Sequence, residues 1–255
     1  ILTAVRAVGT TVIENAAREP EIVDLSTSLN NMGAQIRGAG TDEIRIHGVE
    51  TLQSMNTHTV IADRIETGTY LSLAAAMGDG VMLNNVIPEH LESFTSKMIE
   101  MGVDLQIDID KIFVPRTDKL HGVHVKTMPY PGFATDLQQP LSPLMSMASG
   151  KSTIQDTIYP ERVGHIPQLQ KMGMNIHNHD GIITVEHTEK LHGADVEAGE
   201  IRAGAALTIA GLMADGTTVI HGAGNILRGY DRIVWKLNRL NADVSIVDED
   251  EPVEG

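Results

Sequence analysis

The chain repeats one short sequence pattern four times, and this repeat limits the possible fold more than any other feature. Each copy opens with a glycine and an apolar or β-branched run, at intervals of 71, 70 and 66 residues. The opening glycines are Gly9, Gly80, Gly150 and Gly216. A second mark, where a helix is expected to end and a strand to begin, recurs at intervals of 69, 71 and 68 residues. The dipeptides at this mark are Met32-Gly33, Met101-Gly102, Met172-Gly173 and Leu240-Asn241. Because both sequence features recur at nearly the same interval, they predict a protein assembled from similar structural units.

The spacing of apolar residues predicts the elements of one unit. In the first copy the opening strand is followed by an amphipathic helix over 20–32 and two alternating strands at 35–37 and 43–46. In the later copies another helix precedes the opening strand. These helices are expected at 66–77, 137–148 and 201–214. The unit is therefore strand, helix, strand, helix, strand, strand, with helices on one side of a mixed sheet.

The first copy is predicted to be incomplete. Residues 1–8 read as the second half of a helix without a cap or lead-in, and no strand precedes them. We therefore expect three complete units and one partial unit, in a chain whose beginning is missing.

The composition narrows the class of protein. Apolar residues make up 42% of the chain and charged residues 21%, as in ordinary globular proteins. The formal net charge of −15 would repel nucleic acid phosphates and anionic membranes, so neither is expected as a partner. No apolar run is long enough to span a bilayer, and the chain has no cysteine for disulfides or thiolate metal sites. These features predict a cytoplasmic protein.

Six short segments carry a resemblance to a known family. They are Glu14–Asp24, Asp63–Thr69, Thr135-Asp136, Glu161-Arg162, Ile201–Ala203 and Arg228–Tyr230. These segments closely resemble the bacterial UDP-N-acetylglucosamine 1-carboxyvinyltransferases, which are enolpyruvyl transferases. The resemblance implies an inside-out α/β barrel, with helices inside and mixed sheets outside, built from six units in two domains with the active site between them. By this comparison residues 1–61 end the first domain with one incomplete unit, and residues 62–255 form the second domain with three units.

The resemblance also implies a reaction. The enolpyruvyl group of phosphoenolpyruvate would move to the 3-hydroxyl of UDP-N-acetylglucosamine with release of phosphate, the first committed step of peptidoglycan synthesis. Such an addition and elimination needs a carboxylate to accept a proton and cations to hold the anionic donor. The expected partners are the two substrates and the missing N-terminal segment of the same enzyme, and no cofactor is expected.

Two other functions remain open. One is a 3-phosphoshikimate 1-carboxyvinyltransferase, which has the same fold. The other is a fragment that binds ligand but has no activity alone, because the family's donor-contacting Lys-Asn pair and its catalytic loop would belong to the missing segment.

Asp136 is the candidate general base. It follows Thr135 at the start of a predicted helix, where an Asp or Thr is most simply a helix N-cap. The resemblance implies instead that the Thr135-Asp136 pair contacts the sugar and that the Asp136 carboxylate accepts the proton of the 3-hydroxyl.

Three arginines are candidates for holding the donor's phosphate and carboxylate. Arg162 lies in a turn, while Arg202 and Arg228 are expected at helix starts, where the helix dipole and a guanidinium both favour an anion. The alternative is a set of surface arginines paired with Glu161, Glu200 or Asp231. The resemblance implies the anion-binding role, and it also places the uridine against Ile158 and Tyr159 through an exposed backbone amide and an apolar wall. The alternative for this last pair is an ordinary strand end.

Two charged clusters are better explained by structure than by function. His177, His179 and Asp180 could suggest a metal site, but they fall where the other copies have a hairpin turn. The acidic run at 248–251 is predicted to be a solvated tail.

Overall fold

The structure, a computed structural model, describes residues 1–54 and 57–247. These residues fall into two compact units: residues 1–63 with 129–132, and residues 64–128 with 133 onwards. The predicted boundary after residue 61 lies close to the division at 63/64, and the assignment of the two units to enolpyruvyl transferase domains stays a prediction. The acidic run at 248–251 lies outside the described residues.

The first unit is a three-stranded antiparallel sheet packed on one helix. Its elements are β1 (Thr10–Glu14), α1 (Pro20–Asn31), β2 (Gln35–Arg37) and β3 (Glu43–His47). The strand order is β1-β3-β2, and the core includes Leu29, Ile36, Ile44 and Ile46. The half helix predicted for residues 1–8 is reduced to a 3₁₀ turn, Ala4–Arg6, because Ala7 is already extended (φ −73°, ψ 146°) on the way to β1.

The second unit contains the other three copies. The second copy has α2 (Arg64–Met77), β4 (Val81–Asn84), α3 (Glu92–Met101), β5 (Gln106–Ile107) and β6 (Lys111–Val114). The third has β7 (His124–Lys126), α4 (Gln138–Met145), β8 (Lys151–Gln155), α5 (His165–Lys171), β9 (Ile176–His179) and β10 (Ile182–Glu186). The fourth has β11 (Asp195–Glu197), α6 (Ile201–Met213), β12 (Val219–His221), α7 (Ala223–Leu227) and α8 (Ile233–Arg239).

The repeated glycines have one backbone conformation in every copy. The four opening glycines have φ values of 89°, 90°, 91° and 89°, in the left-handed region that other residues rarely adopt. The residues after the helices, three glycines and Asn241, also have positive φ, as expected for helix C-terminal caps. The sequence repeat is therefore a repeat of backbone geometry.

The third copy alone shows all six predicted elements among the described residues. Its sheet has the order β7-β8-β10-β9, with β7 parallel to β8 and the other pairs antiparallel, so it is mixed as predicted. The second copy has no strand before α2 among the described residues 57–63, which belong to the first compact unit. The fourth copy forms only the parallel pair β11 and β12 within the part of the chain described up to residue 247.

The predicted arrangement of helices inside and sheets outside is confirmed in the second unit. The helices α2, α4 and α6 pack against one another, and every residue of α4 is buried. Gly68 of α2 allows a close approach, because a Cβ there would lie 2.6 Å from a methyl carbon of Leu137. No helix in the described ranges is both long enough and apolar enough to cross a bilayer.

Candidate functional site

The N-terminal ends of the three packed helices lie together, and two of them carry the candidate residues Asp136 and Arg202. Asp136 is in a 3₁₀ turn, Thr135–Leu137, directly before α4. Arg202 is the second residue of α6, and Leu137 packs against Gly68 near the start of α2. The third copy's first helix and the fourth copy's first helix thus bring Asp136 and Arg202 to the same place.

Asp136 is bound by two of the three candidate arginines. Arg162 Nη1 donates to Asp136 Oδ1 at 2.5 Å, and Arg202 Nη2 donates to Asp136 Oδ2 at 3.0 Å. The three side chains are 15–31% exposed, so the ion pairs are shielded from water but open at one side. The alternative of an N-cap is wrong, because the Asp136 side chain bonds arginines and makes no cap hydrogen bond.

The arginines keep the Asp136 carboxylate ionised. Burial alone would raise the pKa of Asp136, but the positive charge of Arg202 and the hydrogen bond and charge of Arg162 outweigh it. The net effect is a pKa below the usual value for an aspartate. While both arginines are bound, Asp136 is therefore a weak base.

Arg202 is held by a second contact from the core. The Tyr230 hydroxyl, on a side chain only 1% exposed, lies 3.3 Å from Arg202 Nη1 and 3.0 Å from Thr69 Oγ1. Thr69 donates its own hydroxyl hydrogen to the carbonyl oxygen of Ile65, so Tyr230 must donate to Thr69 and accept from Arg202. Arg202 Nε is buried and has no acceptor among the described residues, which leaves one donor unused.

Arg228 makes no hydrogen bond or ion pair to Asp136, Arg162 or Arg202, and its position in the fold differs from the prediction. It follows the short helix α7 as its C-cap, so it is not at a helix start. Its side chain is exposed and makes no hydrogen bond or ion pair with any described residue. The next residue, Gly229, packs directly on the side chain of Ile201, which keeps the Arg228 backbone close to the start of α6.

The alternative of surface arginines paired with neighbouring acids is not observed. Arg162 and Arg202 both bind Asp136, although Glu161 and Glu200 are nearer in sequence. Asp231 pairs with Arg232 and Lys236, and Arg228 is not among its partners in the described chain.

The turn that carries Ile158 and Tyr159 is held by Asp156, a residue that was not among the predicted site residues. The backbone amides of Ile158 and Tyr159 donate to Asp156 Oδ1 at 2.9 and 3.0 Å. The exposed amide expected for a uridine is therefore already in use. The Tyr159 ring is 44% exposed and stacks on the Arg162 guanidinium, with Cζ 4.3 Å from the ring centroid.

Asp156 could have been found from the strand pattern. Ser152 and Ile154 are the buried residues of β8, so the alternation places residue 156 on the same buried face. A carboxylate at such a position must have hydrogen-bond donors around it. Thr135 supplies one of them, since its hydroxyl donates to Asp156 Oδ2 at 2.6 Å.

The hairpin expected at the histidine cluster is present, but of the three residues only Asp180 lies in its turn. His177 and His179 are on β9, and Asp180 and Gly181 form the two-residue connection to β10. Both connecting residues have positive φ, 50° and 77°, as two-residue hairpin turns require.

Known proteins similar to this chain are enolpyruvyl transferases. UDP-N-acetylglucosamine 1-carboxyvinyltransferase 2 of Lactiplantibacillus plantarum is 64% identical over 251 residues, which cover 98% of this chain and 59% of that protein. UDP-N-acetylglucosamine 1-carboxyvinyltransferase of Lactobacillus johnsonii is 59% identical over 249 residues, 97% of this chain and 59% of that protein. The chain thus spans about 59% of the length of these curated relatives.

Solved structures with the same fold also extend beyond this chain. The enolpyruvyl transferase NikO from Streptomyces tendae has a TM-score of 0.85 at 28% identity, over 95% of this chain and 58% of that one. EPSP synthase from Acinetobacter baumannii, at 22% identity and a TM-score of 0.71 over 96% of this chain and 60% of that one, is similar in fold. Residues 1–237 match the family model described as EPSP synthase (3-phosphoshikimate 1-carboxyvinyltransferase). The chain belongs to this family.

Proposed function

We propose that this chain supplies the acceptor-activating and anion-binding part of an enzyme that transfers the enolpyruvyl group of phosphoenolpyruvate to the 3-hydroxyl of UDP-N-acetylglucosamine. The observation that carries the proposal is the Asp136 carboxylate bound by Arg162 and Arg202 beside the N-termini of packed helices. The names of the relatives at 59–64% identity support the sugar nucleotide as acceptor.

The cluster has the groups that this chemistry needs. A proton is added to the alkene carbon of the donor, the 3-hydroxyl oxygen attacks the resulting cation-like carbon, and Asp136 accepts the hydroxyl proton. Phosphate then leaves the tetrahedral adduct while a proton is removed from the new methyl group, which restores the carbon–carbon double bond. Over the whole reaction the hydroxyl proton leaves with the phosphate. Arg162, Arg202 and Arg228 hold the phosphate and carboxylate of the donor, and the unused Arg202 Nε is a further donor for it. Thr135, Ile158 and Tyr159 contact the sugar nucleotide in this proposal.

Anion binding would also prepare the base. In the absence of substrate the two arginines lower the pKa of Asp136, which makes the carboxylate a poor proton acceptor. An anionic donor that draws the guanidinium groups toward itself weakens their hold on Asp136, so its pKa rises. The carboxylate therefore becomes a better base only when the donor is in place.

The proposed function also has consequences for the domain organisation of the enzyme and for its location in the cell. We infer that residues 1–61 and 62–255 belong to the two domains of such an enzyme, that the activity requires the part of the relatives that this chain does not cover, and that the reaction takes place in the cytoplasm. The formal net charge of −15 argues against nucleic acid or an anionic membrane as a partner.

The test is phosphate release from phosphoenolpyruvate in the presence of UDP-N-acetylglucosamine. The chain is assayed alone and joined to the segment of the L. plantarum relative that it does not cover. We expect turnover only for the joined protein, and none when shikimate 3-phosphate replaces the sugar nucleotide. Turnover with shikimate 3-phosphate instead would refute the proposed acceptor, and turnover by the chain alone would refute the need for the added segment.

The role of Asp136 is tested in the joined protein. Asp136→Ala should abolish phosphate release, while Asp118→Ala should not change it, since Asp118 pairs with Arg116 at the surface, with both side chains more than 70% exposed. Retained turnover in the Asp136 variant would show that Asp136 is not the general base.

A further inference from the structure

Asp156 is a buried carboxylate that the proposed chemistry does not use. Its side chain is 5% exposed and accepts four hydrogen bonds. The donors come from the end of β7, from the turn before α4, and from the turn after β8. The carboxylate therefore connects its own turn to two segments that lie 21 and 29 residues earlier in the chain.

We propose that Asp156 is a positioning residue that holds the nucleotide-contacting turn and the turn of the general base together during the reaction. This inference rests on the proposed function, because the two turns matter only if they bind the sugar nucleotide and activate its hydroxyl.

The two carboxylate oxygens have separate tasks. Oδ1 accepts from the amides of Ile158 and Tyr159 and from Thr127 Oγ1, the last at 2.6 Å, so it fixes the turn after β8 to the end of β7. Oδ2 accepts from Thr135 Oγ1 at 2.6 Å, so it fixes the residue next to the general base.

The site is built for an ionised acceptor. All four groups around the carboxylate are donors, so a protonated Asp156 would leave one hydrogen without an acceptor. Burial alone would raise the pKa of Asp156, but the hydrogen bonds from Thr127, Thr135 and the two amides lower it below the usual value. The charged form therefore persists through the neutral range.

A second cross-link between the same two turns explains why this one is needed. Arg162 and Asp136 join the turn after β8 to the turn before α4 by an ion pair. In the proposed mechanism Arg162 moves to the donor anion, and that cross-link is broken when substrate is bound. Asp156 does not face the donor in this scheme, so it keeps the two turns in register while Arg162 is engaged elsewhere.

The tasks of the two oxygens predict different kinetic effects in the joined protein. Asp156→Ala removes the acceptor of the Ile158 and Tyr159 amides and also the bond to Thr135, so it should raise the KM for UDP-N-acetylglucosamine by about tenfold or more and lower kcat as well. Thr135→Val keeps the side-chain volume but removes the bond to Oδ2, so it should lower kcat by about tenfold, and its KM for the nucleotide should rise because Thr135 contacts the nucleotide in the proposed function. Thr153→Val is the matched control: Thr153 lies on strand β8, just before Asp156, and among the described residues its hydroxyl bonds only the exposed His124, at 2.7 Å. It should change neither parameter.

Amide hydrogen exchange gives a readout that does not depend on turnover. In Asp156→Ala the amides of Ile158 and Tyr159 should exchange at least about tenfold faster than in the unsubstituted protein, and in the control at the same rate. If Asp156→Ala fails to fold, Thr127→Val removes one hydrogen bond to Oδ1 and the acceptor of the Thr157 amide in the same turn, and it should raise the KM about threefold with kcat unchanged.

Some results would overturn the inference. Unchanged KM and unchanged exchange in Asp156→Ala, with only a lower melting temperature, would show a purely structural residue. An absence of turnover in the unsubstituted joined protein would instead refute the proposed function, and with it the role given to Asp156.

Discussion

Replacing Asp136 by asparagine tests whether the ion-pair cluster is intact in the resting protein. The substitution keeps the side-chain volume but removes the charge that Arg162 and Arg202 share. Exposed ion pairs contribute about 0–1 kcal/mol, and breaking a fully buried pair costs about 3–5 kcal/mol. Because these side chains are 15–31% exposed and two pairs are lost, we expect the free energy of unfolding to fall by about 2 kcal/mol.

Urea denaturation at neutral pH measures this loss directly. A decrease of about 2 kcal/mol corresponds to a melting temperature lower by roughly 4–8 °C for a unit of this size. The exposed pair of Arg116 and Asp118 provides the control, since Asp118→Asn should not change stability measurably.

The contribution of Asp136 to the free energy of unfolding depends on pH, and the lowered pKa fixes the direction of that dependence. The folded pKa of Asp136 is lowered, so its stabilisation is fully present above its unfolded pKa of about 4 and is lost as the pH falls through the folded value. The stability difference between the two proteins should therefore be the same at pH 7 and pH 5 and should narrow only below about pH 4. The described cluster would be refuted if the asparagine variant were as stable as the unsubstituted protein. It would also be refuted if the difference in the free energy of unfolding between the two proteins already narrowed between pH 7 and pH 5.

Three further substitutions probe the surroundings of the site. Tyr230→Phe removes the acceptor of Arg202 Nη1 and should cost about 1 kcal/mol in urea denaturation and raise the KM for phosphoenolpyruvate in the joined protein; an unchanged KM would argue against support of Arg202 by the phenol. Gly229→Ala places a methyl group on the Ile201 side chain and should cost about 1–3 kcal/mol, read as a lower melting temperature; equal stability would mean that the contact yields easily. His165 is fully buried, and burial lowers its pKa from 6.5 to about 4, so the unfolded chain takes up a proton between these values and stability should fall by up to about 3 kcal/mol as the pH drops. His165→Leu should remove that dependence, and a denaturation profile with the same acid slope in both proteins would contradict it.

The sequence predicted the repeated backbone geometry because glycine marks it directly. An opening glycine with φ near 90° and a helix-ending residue with positive φ are local properties, set by the few residues around them. The helices at 20–32, 66–77, 137–148 and 201–214 were also located from local signals, with ends that differ by at most three residues from those observed.

The contacts within the site could not be predicted in this way. Asp136 bonds partners 26 and 66 residues away, so local preference could only indicate an N-cap there. The alternation in β8 predicts a buried carboxylate at Asp156, but it does not show which groups donate to that carboxylate, so the amide of Ile158 was expected to be free. Arg228 was expected at a helix start, whereas the short α7 ends at that point and α8 begins only at Ile233.

The meeting of three helix N-termini has a consequence for the rate at which an anion can arrive. Each N-terminus carries a partial positive charge, and these add to Arg162 and Arg202 over a distance of about 10 Å or less at physiological ionic strength. Beyond that range an approaching anion is repelled by a chain with a formal charge of −15. Added salt should therefore screen the long-range repulsion before it weakens the local attraction. Moderate salt should then increase the association rate of an anion, whereas salt slows association that is driven by ordinary electrostatic steering.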